Sequence, residues 1–151
     1  MNEIIQKMQN FCIYRDRSEK EARLKLHSFG QSESTNEEII QLLKNDKFID
    51  DERFAENYVR SKAQSAQWGK AKIKAQLQLK GISNHIIKKY LENIDEENYH
   101  ETIENVIAKW SRTHAPDKDC KAKLYRFLLS RGFENEVIMK YCRDINIDFA
   151  P

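Results

Sequence analysis

Apolar residues recur at intervals of three and four, the spacing that puts side chains on one face of a helix. Between 54 and 62 the stripe is Phe54, Ala55, Tyr58, Val59 and Lys62. Ile73 and Leu77 open a second stripe. It ends at Gly81, a residue free to take the positive φ that closes a helix. Ser83 then caps a third helix, with Ile86, Ile87, Tyr90 and Leu91 facing inward.

This triplet of helices is predicted three times. The segments EARLKLHSFG (21–30), KIKAQLQLKG (72–81) and KLYRFLLSRG (123–132) end alike. Gly30, Gly81 and Gly132 stand 51 residues apart, as do Ala22, Ile73 and Leu124, then Leu26, Leu77 and Leu128, and further upstream Met8, Val59 and Trp110. In the first copy Ser18 and Glu21 form a capping box. There GQSESTNEEII carries about four extra residues before Ile39-Ile40, which predicts a longer middle turn and a last helix starting at Thr35 or Asn36. The third copy runs from about Tyr99 to Ile145, with Pro116 and Asp117 between its first two helices. A unit of this size buries too little surface alone, so the copies should pack on their neighbours. The expected fold is all-α: three tandem three-helix repeats in an elongated, curved array, at 1–48, 49–96 and 97–148.

Composition agrees with helices. Glycine (4) and proline (2) are scarce in the 151 residues, whereas an all-β chain needs turn residues throughout. No apolar run reaches the ~20 residues of a membrane span, so no membrane association is expected. Met1-Asn2-Glu3-Ile4 lacks the basic and apolar regions of a secretory leader, and none is expected. Cys12, Cys120 and Cys142 are odd in number and form no CxxC pair, as reduced thiols of a cytoplasmic protein would.

Charge changes the picture through its placement, since the formal net charge is only +2. From Asn57 to Leu91 there is no acid, but the stretch holds Arg60, Lys62, Lys70, Lys72, Lys74, Lys80, Lys88 and Lys89, with His85. Acids flank it on both sides. Each lysine taken singly is an ordinary solvated residue. The stretch as a whole suits a polyanion, either nucleic acid or an acidic protein groove. Lys70 and Lys74 lie one helical turn apart, and Trp68 at the helix start offers an indole for stacking on a base.

Signs of catalysis are missing. His27, His85, His100 and His114 are scattered, without metal-ligand spacing, and no phosphate-binding glycine loop or nucleophile elbow occurs. Asp50-Asp51-Glu52 lies at a helix entrance, where acids cap free N–H groups and favour the helix dipole. We expect no enzyme, no cofactor and no metal.

The run FIDDERFAENYVRSK (48–62) resembles the signature of the RecX family of recombinase regulators. GKAKIKAQLQLKGIS (69–83) is similar to that family's second signature, and SEKEARLKLHSFG (18–30) and KLYRFLLSRGF (123–133) to its first and third segments. The likeness extends from about Phe11 to Asp144, in order and spacing, and departs at the turn after Gly30. It implies a cytoplasmic protein of tandem three-helix repeats that lies in the groove of the RecA–DNA filament. Such a protein restrains RecA ATPase, strand exchange and co-protease activity in recombination, DNA repair and the SOS response. Under that reading Arg60, Lys62, Lys70, Lys72 and Lys74 are the expected contacts to RecA or to single- or double-stranded DNA, backed by Lys80, Lys88 and Lys89. A monomer is expected. The alternative is a helical DNA-binding module acting without RecA.

Overall fold

The structure, a computed structural model, describes residues 2–144. The side chain of Cys142, and positions 145–148 of the third expected repeat, lie outside the described residues. Among the described residues there are nine helices and no strand. They are α1 (Asn2–Tyr14), α2 (Glu19–His27), α3 (Glu33–Asn45), α4 (Asp51–Gln64), α5 (Lys70–Leu79), α6 (Asn84–Glu92), α7 (Glu96–Thr113), α8 (Cys120–Ser130) and α9 (Asn135–Asp144).

The 51-residue step is a packing register. Leu26, Leu77 and Leu128 are fully buried, as are Ala22, Ile73 and Leu124, and Met8, Val59 and Trp110 are buried too. The three glycines all take positive φ, at 73°, 80° and 95°. In the middle triplet burial is narrower than the periodicity suggests. Of the inward set on α6 only Ile87 is buried, while Ile86, Tyr90 and Leu91 are half-buried.

The first triplet corrects one expectation. Ser32, not Thr35 or Asn36, caps α3, its side chain accepting from the Thr35 N–H at 3.2 Å. Two residues separate each of Gly30, Gly81 and Gly132 from the helix that follows. The turn is therefore not longer. The extra residues add a turn to α3, which has 13 residues against 9 in α6 and 10 in α9.

The chain forms two compact units, Met1–Asn57 with Leu77–Ile87, and Tyr58–Gln76 with Lys88–Pro151. The first is built on Met8, Cys12, Ala22, Leu26, Ile39, Ile40, Leu43 and Ile49. The core of the second includes Tyr99, Ile103, Trp110, Leu124, Leu128, Phe133 and Ile138. Each unit contains one joint between successive triplets, and the joints share a design. The second helix of a triplet starts with unsatisfied N–H groups. In the first unit the Glu19 N–H donates to Asp51 Oδ1 at 2.8 Å, and a Cβ at Gly81 would lie 2.8 Å from that of Lys20. In the second unit the equivalent Lys70 N–H donates to the Tyr99 hydroxyl at 3.0 Å. There Gly69 N–H donates to Arg131 O at 2.8 Å, and Ala71 N–H to Gly132 O at 2.9 Å. The compact units thus follow the joints, and the middle triplet is shared between them.

Asp50 and Asp51 have the structural role expected of them. Asp50 Oδ1 accepts from the N–H groups of Glu52 and Arg53 at 3.0 and 3.1 Å, capping α4, while Asp51 holds the start of α2.

Candidate nucleic-acid interface

Seven of the eight basic residues in the acid-free stretch lie in the second compact unit, and Lys80 lies in the first. The seven do not form one face. On α5, residues 70 and 74 share a flank at 100° per residue, and residue 72 points away from it. The aromatic neighbours show the same division.

Trp68 gathers the first group. Gln67, at φ 56°, turns the chain into the left-handed region just before it. The Trp68 N–H donates to Lys62 O at 2.9 Å, which ties the indole to the end of α4. From the other side Arg131 Nη2 donates to Ala66 O at 2.7 Å, so α8 holds the loop. On this platform Lys62 Nζ lies 4.8 Å from the indole centroid and Lys72 Nζ lies 4.4 Å from it. Tyr58 meets the indole edge-on, with centroids 6.4 Å apart, and Lys62 Nζ lies 5.4 Å from the Tyr58 ring. Each such contact is worth about 0.5–1 kcal/mol at an exposed site. Trp68 is half-buried. It serves as a platform that fixes two ammonium groups, rather than as the open base-stacking ring expected from the sequence.

Lys70 heads the second group. Its Nζ lies 4.8 Å from the Tyr99 ring, and its backbone N–H donates to the hydroxyl of the same residue. That hydroxyl donates in turn to the Glu134 carboxylate. Burial first, then the Glu134 carboxylate, raise the Tyr99 pKa far above that of a free tyrosine, so the hydroxyl keeps its proton. Lys74 and Arg60 are exposed.

Two of the remaining cations have acids beside them in space. Lys80 lies 3.8 Å from Glu21, an acid of the first triplet, and 5.9 Å from the Phe54 ring. Lys88 pairs with Glu92 at 4.0 Å, and Lys89 Nζ lies 5.2 Å from the Tyr90 ring. No three His, Cys, Asp or Glu side chains come together as a metal group among the described residues. No helix there is long and apolar enough to cross a membrane.

Sequence reasoning passed over a second cationic and aromatic surface. In the first unit Lys7, Phe11, Tyr14, Arg17, Lys25 and Phe29 line an open cavity of about 540 Å³. The i, i+4, i+7 spacing of Lys7, Phe11 and Tyr14 on α1 is a signal that could have found it.

The family model for the second three-helix domain of RecX matches residues 50–91, and that for the third three-helix domain matches residues 97–142. The regulatory protein RecX of Actinobacillus pleuropneumoniae serotype 5b is 34% identical over 131 residues, covering 84% of this chain and 85% of that protein. The chain belongs to the RecX family. RecX of Clostridium botulinum strain Alaska E43 is 31% identical over 138 residues, or 88% of this chain and 64% of the relative. RecX of Oceanobacillus iheyensis is 34% identical, over 85% of this chain and 48% of the relative. The chain thus spans between about half and two thirds of the length of those two RecX proteins. The crystal structure of RecX from Lactobacillus salivarius matches with a TM-score of 0.79 at 27% identity, over 95% of this chain and 97% of that one. A second RecX crystal structure matches with a TM-score of 0.83 at 25% identity, over 92% and 71%. The RecX fold of tandem three-helix repeats is therefore the fold of this chain.

Proposed function

We propose that this chain binds the RecA–DNA filament and lowers RecA ATPase, strand exchange and co-protease activity, acting in the cytoplasm without chemistry of its own. The observation that carries the reading is the cluster of Lys62 and Lys72 on Trp68. Two ammonium groups held on a buttressed indole form a preorganised contact for a polyanion. Family membership supports reading that polyanion as the RecA–DNA filament, and Lys70 with exposed Lys74 extends the surface. Arg60 lies on α4, two residues before Lys62. Contacts to filament DNA make affinity fall with salt.

The test is RecA ATPase on single-stranded DNA, titrated with this protein. The rate should fall at substoichiometric ratios, and Lys62→Glu/Lys72→Glu should weaken the effect while leaving the fold intact. An ATPase rate unchanged at micromolar protein overturns the reading. The flank of Lys70 and Lys74 also suits direct DNA contact without RecA. A mobility shift at low salt tests it, and absence of a shift excludes that second reading.

A further inference from the structure

The groove between α1 and α2 departs from ordinary surface in its chemistry. Lys7, Phe11 and Tyr14 come from α1, Lys25 from α2, Phe29 from the turn just after it, and Arg17 from the segment between the two helices. The Arg17 guanidinium lies 3.7 Å from the Phe11 centroid, and its Nε donates to Phe11 O at 2.9 Å. Lys25 Nζ lies 5.7 Å from both Phe11 and Phe29, and Lys7 Nζ lies 5.6 Å from Phe29. No carboxylate lines the cavity. Lys7, Arg17 and Lys25 make no ion pair among the described residues. Three cations are therefore held on rings without an ion pair, and the nearby Glu21 carboxylate offsets only part of the charge at Arg17. At the rim Tyr14 is 84% exposed, with the Arg17 guanidinium 6.0 Å from its centroid.

The second unit carries a related cation–ring pair at the matching repeat positions, with its cations bonded to Gln67. Lys109 Nζ donates to Gln67 Oε1 at 3.3 Å, and Arg131 Nη2 donates to the Gln67 backbone oxygen at 3.4 Å. Lys109 stands 102 residues after Lys7, and Phe127 and Arg131 stand 102 after Lys25 and Phe29. They line a cavity of about 630 Å³ between α7 and α8. The Arg131 guanidinium lies 5.9 Å from the Phe127 ring, matching Lys25 over Phe29 with cation and ring exchanged.

We infer that the α1/α2 groove is a binding site for single-stranded nucleic acid, with backbone phosphates on Lys7, Arg17 and Lys25 and a base stacked on Tyr14. An acidic protein segment would use the cations but has no need of an open ring beside them. A nucleic-acid strand uses both. The site deepens the filament reading by naming a strand contact in the other compact unit.

The test is fluorescence anisotropy of a labelled oligothymidylate with the full chain across a salt series, without recombinase. The unaltered chain should bind. Lys7→Glu/Lys25→Glu should lower affinity about tenfold or more and reduce the log–log salt slope by about 1.4, or 0.7 per lost phosphate contact. Lys7→Arg/Lys25→Arg should retain binding. Tyr14→Leu, at an exposed position, should lower affinity about fivefold or more with the slope unchanged. It keeps the test decisive if the charge reversal unfolds the chain. Absence of binding, or variants that match the unaltered chain, overturns the inference. Loss on charge reversal with no effect of Tyr14→Leu, together with equal competition by polyglutamate, also overturns it and assigns an acidic protein segment instead. Failure here leaves the filament reading of the Trp68 cluster standing. Failure of the ATPase titration leaves the groove standing.

Discussion

Leu77 is fully buried at the middle position of the 51-residue register. Leu77→Ala should destabilise the fold by about 2–5 kcal/mol, read from urea unfolding midpoints. Glu21 sets a different dependence. Burial pushes its pKa up, but the Ser18 N–H, Arg15 and Lys80 outweigh burial and hold it below the usual 4.5. Glu19 behaves alike, with Lys44 and Arg23 outweighing burial. A carboxylate with a depressed folded pKa adds stability that is complete above its unfolded pKa and is lost as pH falls through the folded one. Asp51 opposes them, because burial raises its pKa despite the N–H of Glu19. The two glutamates together should dominate, so melting temperature should drop as pH falls below about 4.5, the ordinary value from which both are lowered. Glu21→Gln should melt lower at neutral pH and lose less on acidification.

Among the turns between elements, the three glycines share a conformation but not a setting. A Cβ at Gly30 meets nothing within 4 Å, so Gly30→Ala should cost only the left-handed backbone term of about 1–2 kcal/mol. A Cβ at Gly132 would lie 2.2 Å from that of Lys72 and 2.6 Å from its backbone nitrogen. Backbone strain and overpacking then add, and Gly132→Ala should cost about 3 kcal/mol or more. Equal unfolding midpoints for the two variants would show that the joint yields freely. The helices and their register were legible because apolar spacing and the glycine step are local signals. The start of α3 was not. Ser32, Ser34, Thr35 and Asn36 can all cap a helix, and counting residues cannot tell a longer turn from a longer helix. The two-residue spacing from Gly30 to α3, shared by all three triplets, decides for Ser32.

At the scale of the molecule, the cations were legible as a run but not as surfaces. Lys80 reads as unpaired because Glu21 lies 59 residues earlier, and Lys7, Arg17 and Lys25 are too far apart in the chain to read as a run. Folding gathers Lys62 and Lys72 on Trp68 in the second compact unit, and Lys7, Arg17 and Lys25 on the rings of the α1/α2 groove in the first. Whether one strand engages both is a question of linkage. If it does, the second contact forms at an effective concentration set by the first. The losses from Lys62→Glu/Lys72→Glu and from Lys7→Glu/Lys25→Glu should then add as free energies, and the four-site variant should show the product of the two fold-changes. Its salt slope for single-stranded DNA should fall by about 2.8, four contacts at 0.7 each. If separate strands occupy the two surfaces, each pair of reversals should instead halve the stoichiometry and leave the remaining affinity unchanged. Calorimetric titration of the four-site and two-site variants against one oligonucleotide separates these outcomes: additive losses at constant stoichiometry mark one strand on both surfaces, and a halved stoichiometry marks two strands.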